Sequence, residues 1–204
     1  MQVALKSDIK ALMDLKTFQK FREVVRKYHS SNEFEFRLGK KSQKRFDTNI
    51  GLELFTKVTG ALKKYNGWEK VEETDESVFY KAPDYRIIIN NKTDEFVHQK
   101  KKKLETCDLE IPGPLDIRLA VSHEEECPDQ ECEMEREVRR LRTSFVRKQV
   151  IISCTKVKGP PKDRDSESDI EYQVEIEFVP GESDAELFNQ IHKVFNVLES
   201  VRDT

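Results

Sequence analysis

The strongest constraint in the sequence is the stretch Glu171-Tyr172-Gln173-Val174-Glu175-Ile176-Glu177-Phe178. Side chains on a strand alternate between its two faces, so Glu171, Gln173, Glu175 and Glu177 project one way and Tyr172, Val174, Ile176 and Phe178 the other. Far upstream, Glu33-Phe34-Glu35-Phe36-Arg37-Leu38 repeats the pattern, with Glu33, Glu35 and Arg37 opposite Phe34, Phe36 and Leu38. Taken singly, either segment reads as a half-buried strand with its glutamates in water. Two of them in a chain rich in basic strands read differently. Brought face to face, their carboxylates repel unless a cation lies between them, and an oxygen-only donor set selects Mg²⁺ or Mn²⁺.

The 204 residues suffice for one domain with a real core, taken here as 1–204. Charged residues make up 37% of the chain, yet the net charge is only -3, so bulk charge identifies no partner. Segregation is more informative: acids crowd 123–137 and 163–177, and bases crowd 100–103, 136–148 and 156–164. No apolar run approaches the length of a membrane helix, and Met1 to Lys10 lacks the apolar core of a secretory signal. The expectation is a soluble intracellular protein, nuclear or cytoplasmic and not bound to membrane. The four cysteines, at 107, 127, 132 and 154, form no CxxC pair. His123, Cys127 and Cys132 fit no common zinc spacing, so Glu124 to Glu137 reads as a solvated excursion between two strands that carries free thiols.

Apolar residues at helical spacing predict a helix over Ser7 to His29, a second over Leu52 to Tyr65 stopped by Asn66-Gly67, and a closing helix to Val201 N-capped by Ser183. The N-terminal helix falls within 1–30 and the C-terminal one within 183–201. Strands are expected at Ser77 to Ala82, Tyr85 to Asn90, Phe96 to Lys103, Asp116 to Ser122, Arg140 to Lys148 and Gln149 to Val157. With the two acidic strands these make eight. Gly159 to Asp169 reads as a polar loop. A closed barrel would put the charged strand faces inside and leave the apolar faces for the helices. The expected fold class is therefore mainly β: a closed eight-stranded antiparallel tunnel with a charged interior, packed outside by about three helices. A lining with carboxylates on two strands and Arg or Lys on others, among them Arg86, Arg118, Arg140 and Arg142, suits a metal-bound polyphosphate.

Glu33-Phe34-Glu35-Phe36-Arg37-Leu38-Gly39, Arg140-Leu141-Arg142-Thr143-Ser144-Phe145, Cys154-Thr155-Lys156-Val157 and Glu175-Ile176-Glu177, in that order, resemble the triphosphate tunnel metalloenzymes. The likeness spans nearly the whole chain and is greatest to the metal-dependent RNA triphosphatases of fungal and large-DNA-virus mRNA capping, in particular the stand-alone enzyme of algal viruses. The resemblance implies a hydrolase that removes the γ-phosphate from 5′-triphosphate RNA and leaves a diphosphate end for a guanylyltransferase partner. It implies Mg²⁺ or Mn²⁺ held by Glu33, Glu35, Glu175 and Glu177. Phosphate binding would fall to Arg140 and Arg142, and to Arg86, Lys101, Arg118 and Lys156 by strand position, with Glu171 aligning the attacking water. The chain departs from the pattern at Ser153, where some relatives carry an acid.

Two other readings stay open at this point. Free nucleoside triphosphate, inorganic tripolyphosphate and thiamine triphosphate present the same terminal phosphates to such a lining, so a different hydrolase of the same fold is the first. A non-catalytic RNA-binding module is the second. Base-reading sheets expose aromatics for stacking, whereas Phe34, Phe36, Tyr172 and Phe178 alternate with glutamates as a helix-covered face would.

Overall fold

The computed structural model describes residues 15–28, 31–43, 45–81, 84–111, 113–160, 170–179, 184–199 and 201. Its elements are α1 (Leu15–Lys27), β1 (Glu33–Lys41), β2 (Phe46–Asp47), α2 (Gly51–Lys64), β3 (Lys70–Lys81), β4 (Tyr85–Asn90), β5 (Phe96–Leu109), β6 (Asp116–Glu126), β7 (Met134–Arg147), β8 (Val150–Lys158), β9 (Ile170–Phe178) and α3 (Asp184–Glu199). Eight strands run antiparallel in the order β1-β6-β5-β4-β3-β7-β8-β9, and β9 returns to β1 to close the barrel. The short β2 pairs only with the end of β1, Lys40 and Lys41, and stands outside the closure. The expected eight-stranded closed barrel with three helices is the observed fold.

The alternating pattern explains the closure. In β1 and β9 the apolar side chains point outward beneath the helices, with Phe34, Phe36, Leu38, Val174, Ile176 and Phe178 all at 3% exposure or less. The Phe36 and Phe178 rings stack at 5.1 Å, and Phe21 of α1 meets Phe36 edge-on at 5.8 Å. α2 lays Phe55 against Tyr172 at 5.2 Å, and α3 adds Leu187, Ile191, Val194, Phe195 and Leu198 to the same core. Moving those apolar faces out of water drives assembly, at about 25 cal/mol per Å². The glutamates on the opposite faces then have nowhere to go but the lumen.

α2 is started and stopped by side chains outside it. Asn49 Oδ1 accepts the backbone N–H of Gly51 and that of Tyr172, which ties the helix start to β9. At the far end Leu62 O accepts both the Tyr65 N–H and the Trp68 indole N–H, so an indole does the capping where Asn66-Gly67 is the stop expected from sequence.

Several boundaries differ from the sequence reading. β3 begins at Lys70, seven residues before Ser77, because pairing of Lys70 to Glu76 with β7 holds a segment whose own pattern is too polar to announce a strand. Glu124 to Glu137 is not one solvated excursion: Glu124 to Glu126 complete β6 against Gln99 to Lys101, and Met134 to Glu137 begin β7 against Phe79 to Lys81. Cross-strand bases on one side and strand extension on the other turn an acid-rich segment into ladder. The β7–β8 turn falls at Lys148-Gln149, with Lys148 at φ 53, a left-handed position filled here without the usual glycine. Of the first predicted helix, the part before Leu15 lies outside the described residues, as do Ser183 and most of the Gly159 to Asp169 loop. Among the described residues no helix is long and apolar enough to cross a membrane.

Candidate active site

Register places the acidic pairs together. Glu35 of β1 stands opposite Glu177 of β9, and Arg37 opposite Glu175. On the other flank of β1, Glu33 stands opposite Ser122 and Glu35 opposite Ala120 of β6. Paired residues share a face of the sheet, so Glu33, Glu35, Glu175 and Glu177 all line the lumen. Glu124, two residues beyond Ser122 on β6, joins them on the same face. Nothing in the local sequence distinguishes Glu124 from its neighbours Glu125 and Glu126; the signal lies only in its register with Lys101.

Bases interleave with these acids. Lys101 Nζ lies 2.6 Å from Glu33 Oε2, 3.9 Å from Glu35 Oε1, and in contact with Glu124. Arg37 pairs with Glu35 and lies 3.3 Å from Glu175. Arg86 reaches both oxygens of Glu124 at 3.2 Å and donates to Gln99 at 2.7 Å. Arg142 approaches Glu175 at 3.8 Å and donates to Thr155 Oγ1, while Arg140 bonds the Tyr80 hydroxyl. Ser153 sits beside Glu175 and within 3.1 Å of Ser144.

Burial divides the carboxylates into two groups. Burial, and then the Glu175 carboxylate, push Glu35 up to about 7. Burial also raises Glu33 and Glu177, reinforced for Glu33 by Glu124 and for Glu177 by Glu33 and Glu124. Burial opposes ionisation of Glu175, yet Arg37, Arg142 and Arg140 outweigh it and hold that group below the usual carboxylate range. Glu124 is likewise held down, to about 2 against its burial, by the Glu33 hydrogen bond and the Lys101 and Arg86 charges. Among the described residues no group of three or more His, Cys, Asp or Glu side chains converges on a single metal position. The donor chemistry nevertheless fits a hard dication: every acid is a carboxylate, and three are raised by burial and by the neighbouring carboxylates, both of which a bound cation would offset.

The lumen contains two overlapping cavities of about 310 and 320 Å³ that share Glu35, Arg37, Arg86, Lys101, Arg140, Gln173 and Glu175. Arg118 also faces the lumen, away from the acid cluster, where it grips Asp108 through two bonds of 2.6 and 2.9 Å and covers the Phe46 ring. Two further predicted residues are not brought to the cluster. Lys156 is exposed on the outer face, in register with Leu141 and Tyr172, because its neighbours Thr155 and Val157 take the inward positions. Glu171 faces the lumen but lies four residues along β9 from Glu175, about 13 Å at the usual strand rise. There it meets Arg136 at 3.5 Å and accepts a bond from Gln173.

A closed antiparallel barrel lined by alternating acids and bases defines the class to which this architecture belongs. No protein-family model matches the chain, and no curated protein matches it in sequence. Among solved structures, the S. pombe Pct1 RNA triphosphatase has a similar fold, with a TM-score of 0.73 at 16% identity over 95% of this chain and 94% of that one. The Mimivirus capping enzyme triphosphatase gives 0.70 at 16% identity, over 94% of this chain and 100% of that one. A chain of the Schizosaccharomyces pombe Mediator head module gives 0.52 at 10% identity, over 84% of this chain and 96% of that one. The chain thus has the fold of RNA triphosphatases, and that fold is also found in an assembly of another kind.

Proposed function

We propose that the protein is a divalent-metal-dependent RNA 5′-triphosphatase, hydrolysing the γ-phosphate of 5′-triphosphate RNA as the first step of mRNA capping. The observation that carries this reading is the cross-strand register of Glu35 with Glu177 and Arg37 with Glu175 inside a closed barrel, with Arg140 and Arg142 facing the same lumen. Mg²⁺ or Mn²⁺ would be held by Glu33, Glu35, Glu175 and Glu177 and, when bound, would polarise the terminal phosphate and offset its charge. The remaining work belongs to the chain. Arg140 and Arg142 would grip phosphate oxygens through their planar forks and stabilise charge as the β–γ bond breaks. Lys101 and Arg86, carried on neighbouring strands, would exchange carboxylate partners for phosphate oxygens. A water attacking in line needs a carboxylate to hold it. Glu171, about 13 Å along β9 from Glu175 and paired with Arg136, is poorly placed for this, so the water would be oriented by a free oxygen of one of the metal-holding glutamates.

Release of phosphate from γ-labelled triphosphate-ended RNA, assayed with Mg²⁺, with Mn²⁺ and with chelator, tests the proposal. Metal-dependent release is expected. No release with either metal would overturn it, and release from inorganic tripolyphosphate alone would assign the lumen to a different polyphosphate.

A further inference from the structure

Outside the barrel, where the end of α2, the β7–β8 hairpin and α3 meet, lies a second cavity of about 420 Å³ whose walls are neither acidic nor purely apolar. Its floor is aromatic. The Trp68 and Tyr65 rings meet edge-on at 5.2 Å, and Trp68 is backed by Phe145 at 5.4 Å. The indole N–H is already spent on Leu62 O, which fixes the ring in place, whereas Tyr65 remains 41% exposed. The rim is cationic. Arg147 lies over the Tyr65 ring at 5.3 Å, Lys193 and Asn196 of α3 line the cavity as well, and Lys148 stands next to Arg147 at the hairpin tip. Among the described residues no carboxylate pairs with the side chains of Arg147, Lys148 or Lys193. Burial, and then the charges of Lys148 and Arg147, lower the pKa of Lys193, the mark of a cation that lacks an anion.

Gly67 belongs to the same arrangement. A Cβ at this position would stand 2.4 Å from the Tyr65 hydroxyl oxygen and 2.5 Å from the ring carbon bearing it. The ring can lie back over the chain, toward the cavity, only because residue 67 has no side chain.

We propose that this cavity is a subsite for single-stranded RNA, in which a base packs into the aromatic corner formed by Tyr65 and Trp68 while Arg147 and Lys193 hold the adjoining phosphate. Stacking faces flanked by unpaired cations are the means by which proteins hold single strands without reading sequence. An inorganic anion has no use for the rings, and an acidic peptide has no planar group matched to them. The subsite rests on the reading of the lumen's substrate as RNA, and it would engage the body of a transcript whose triphosphate end occupies the barrel.

Trp68 is the only tryptophan in the chain, so its fluorescence reports on this cavity directly and needs no catalysis. The full-length protein is titrated with a short 5′-hydroxyl oligouridylate, with inorganic tripolyphosphate and with an oligoglutamate peptide. Saturable quenching by the RNA alone is expected, with the midpoint raised about tenfold in R147A/K193A and a smaller rise in Gly67→Ala, which displaces Tyr65 without deleting it. Removing the two cations relieves mutual repulsion, so the double variant should remain folded, which its melting curve checks. With 5′-triphosphate RNA as substrate, R147A/K193A should raise KM about tenfold at unchanged kcat and leave tripolyphosphate hydrolysis untouched. Quenching by tripolyphosphate with the same midpoint, quenching by the peptide, or RNA quenching unchanged in the double variant would each overturn the subsite. Absence of all hydrolysis, with RNA quenching intact, would instead overturn the triphosphatase reading and leave the subsite standing.

Discussion

Arg37 is the residue whose loss the barrel should feel most. Its guanidinium sits between Glu35 and Glu175, and burial, which alone would favour its neutral form, is outweighed by those two carboxylates. Arg37→Met keeps much of the side-chain length and volume but removes the charge. Two carboxylates, one of them in a residue only 3% exposed, then face each other with Lys101 beside Glu35 and Arg142 beside Glu175 as the nearest remaining cations. At 3.3 Å the Arg37–Glu175 attraction is about 5 kcal/mol for an effective dielectric of about 20. Since Arg37 regains hydration on unfolding, the net loss expected is about 3–5 kcal/mol, the range for breaking one side of a buried pair. The companion substitution Glu35→Gln removes the charge that Arg37 most directly offsets, so R37M/E35Q should be more stable than R37M, with a coupling of about 2 kcal/mol. Urea unfolding of parent, both single variants and the double variant, with metal chelated, measures the cycle. A loss below about 1 kcal/mol in R37M, or a double variant no more stable than R37M, would refute the claim that the lumen is a charge-balanced, desolvated environment. Adding Mn²⁺ should raise the melting temperature of R37M more than that of the parent.

Three further outcomes are expected. Glu35→Ala and Glu177→Ala should each abolish γ-phosphate release without lowering the melting temperature of metal-free protein, since each removes a repelled carboxylate; near-normal turnover at saturating Mg²⁺ or Mn²⁺ would exclude that residue as a ligand. Arg142→Lys should retain more activity than Arg142→Ala and less than the parent, because the charge survives and the fork does not, while Lys156→Ala on the outer face should be indistinguishable from the parent in kcat and KM. Iodoacetamide at pH 8 should label Cys127 and Cys132 and spare Cys107 and Cys154, since burial raises both core thiols, Cys154 to about 11, leaving about one thiolate in a thousand. In the same experiment C127S/C132S should leave melting temperature and activity unchanged; bound stoichiometric zinc lost in that variant would show the loop to be a metal site.

The loop between β6 and β7 shows how such readings divide. From sequence, the absence of zinc spacing at His123, Cys127 and Cys132 argues for a solvated excursion with free thiols, whereas in the fold Asp129 accepts a hydrogen bond from the Tyr85 hydroxyl, which also meets His98. Neither Tyr85 nor His98 is near that loop in sequence, so no local pattern could pair them with it.

What the sequence determines by itself is the two-sidedness of its strands. Period-two alternation in Glu33 to Leu38 and Glu171 to Phe178 dictates which side chains share a face, and three amphipathic helices dictate that the apolar faces are covered, so barrel, lumen and lining class follow from local rules. What only the tertiary structure decides is register and commitment. Which acid meets which base depends on how strands far apart in sequence slide against one another. That is why Glu124 enters the site, Lys156 leaves it, Glu171 stands apart and Arg118 is taken up by Asp108. One residue of slip exchanges inside for outside, and the energy that prevents the slip comes from the packed phenylalanines and helices on the far side of the sheet, not from the charged residues whose positions it sets.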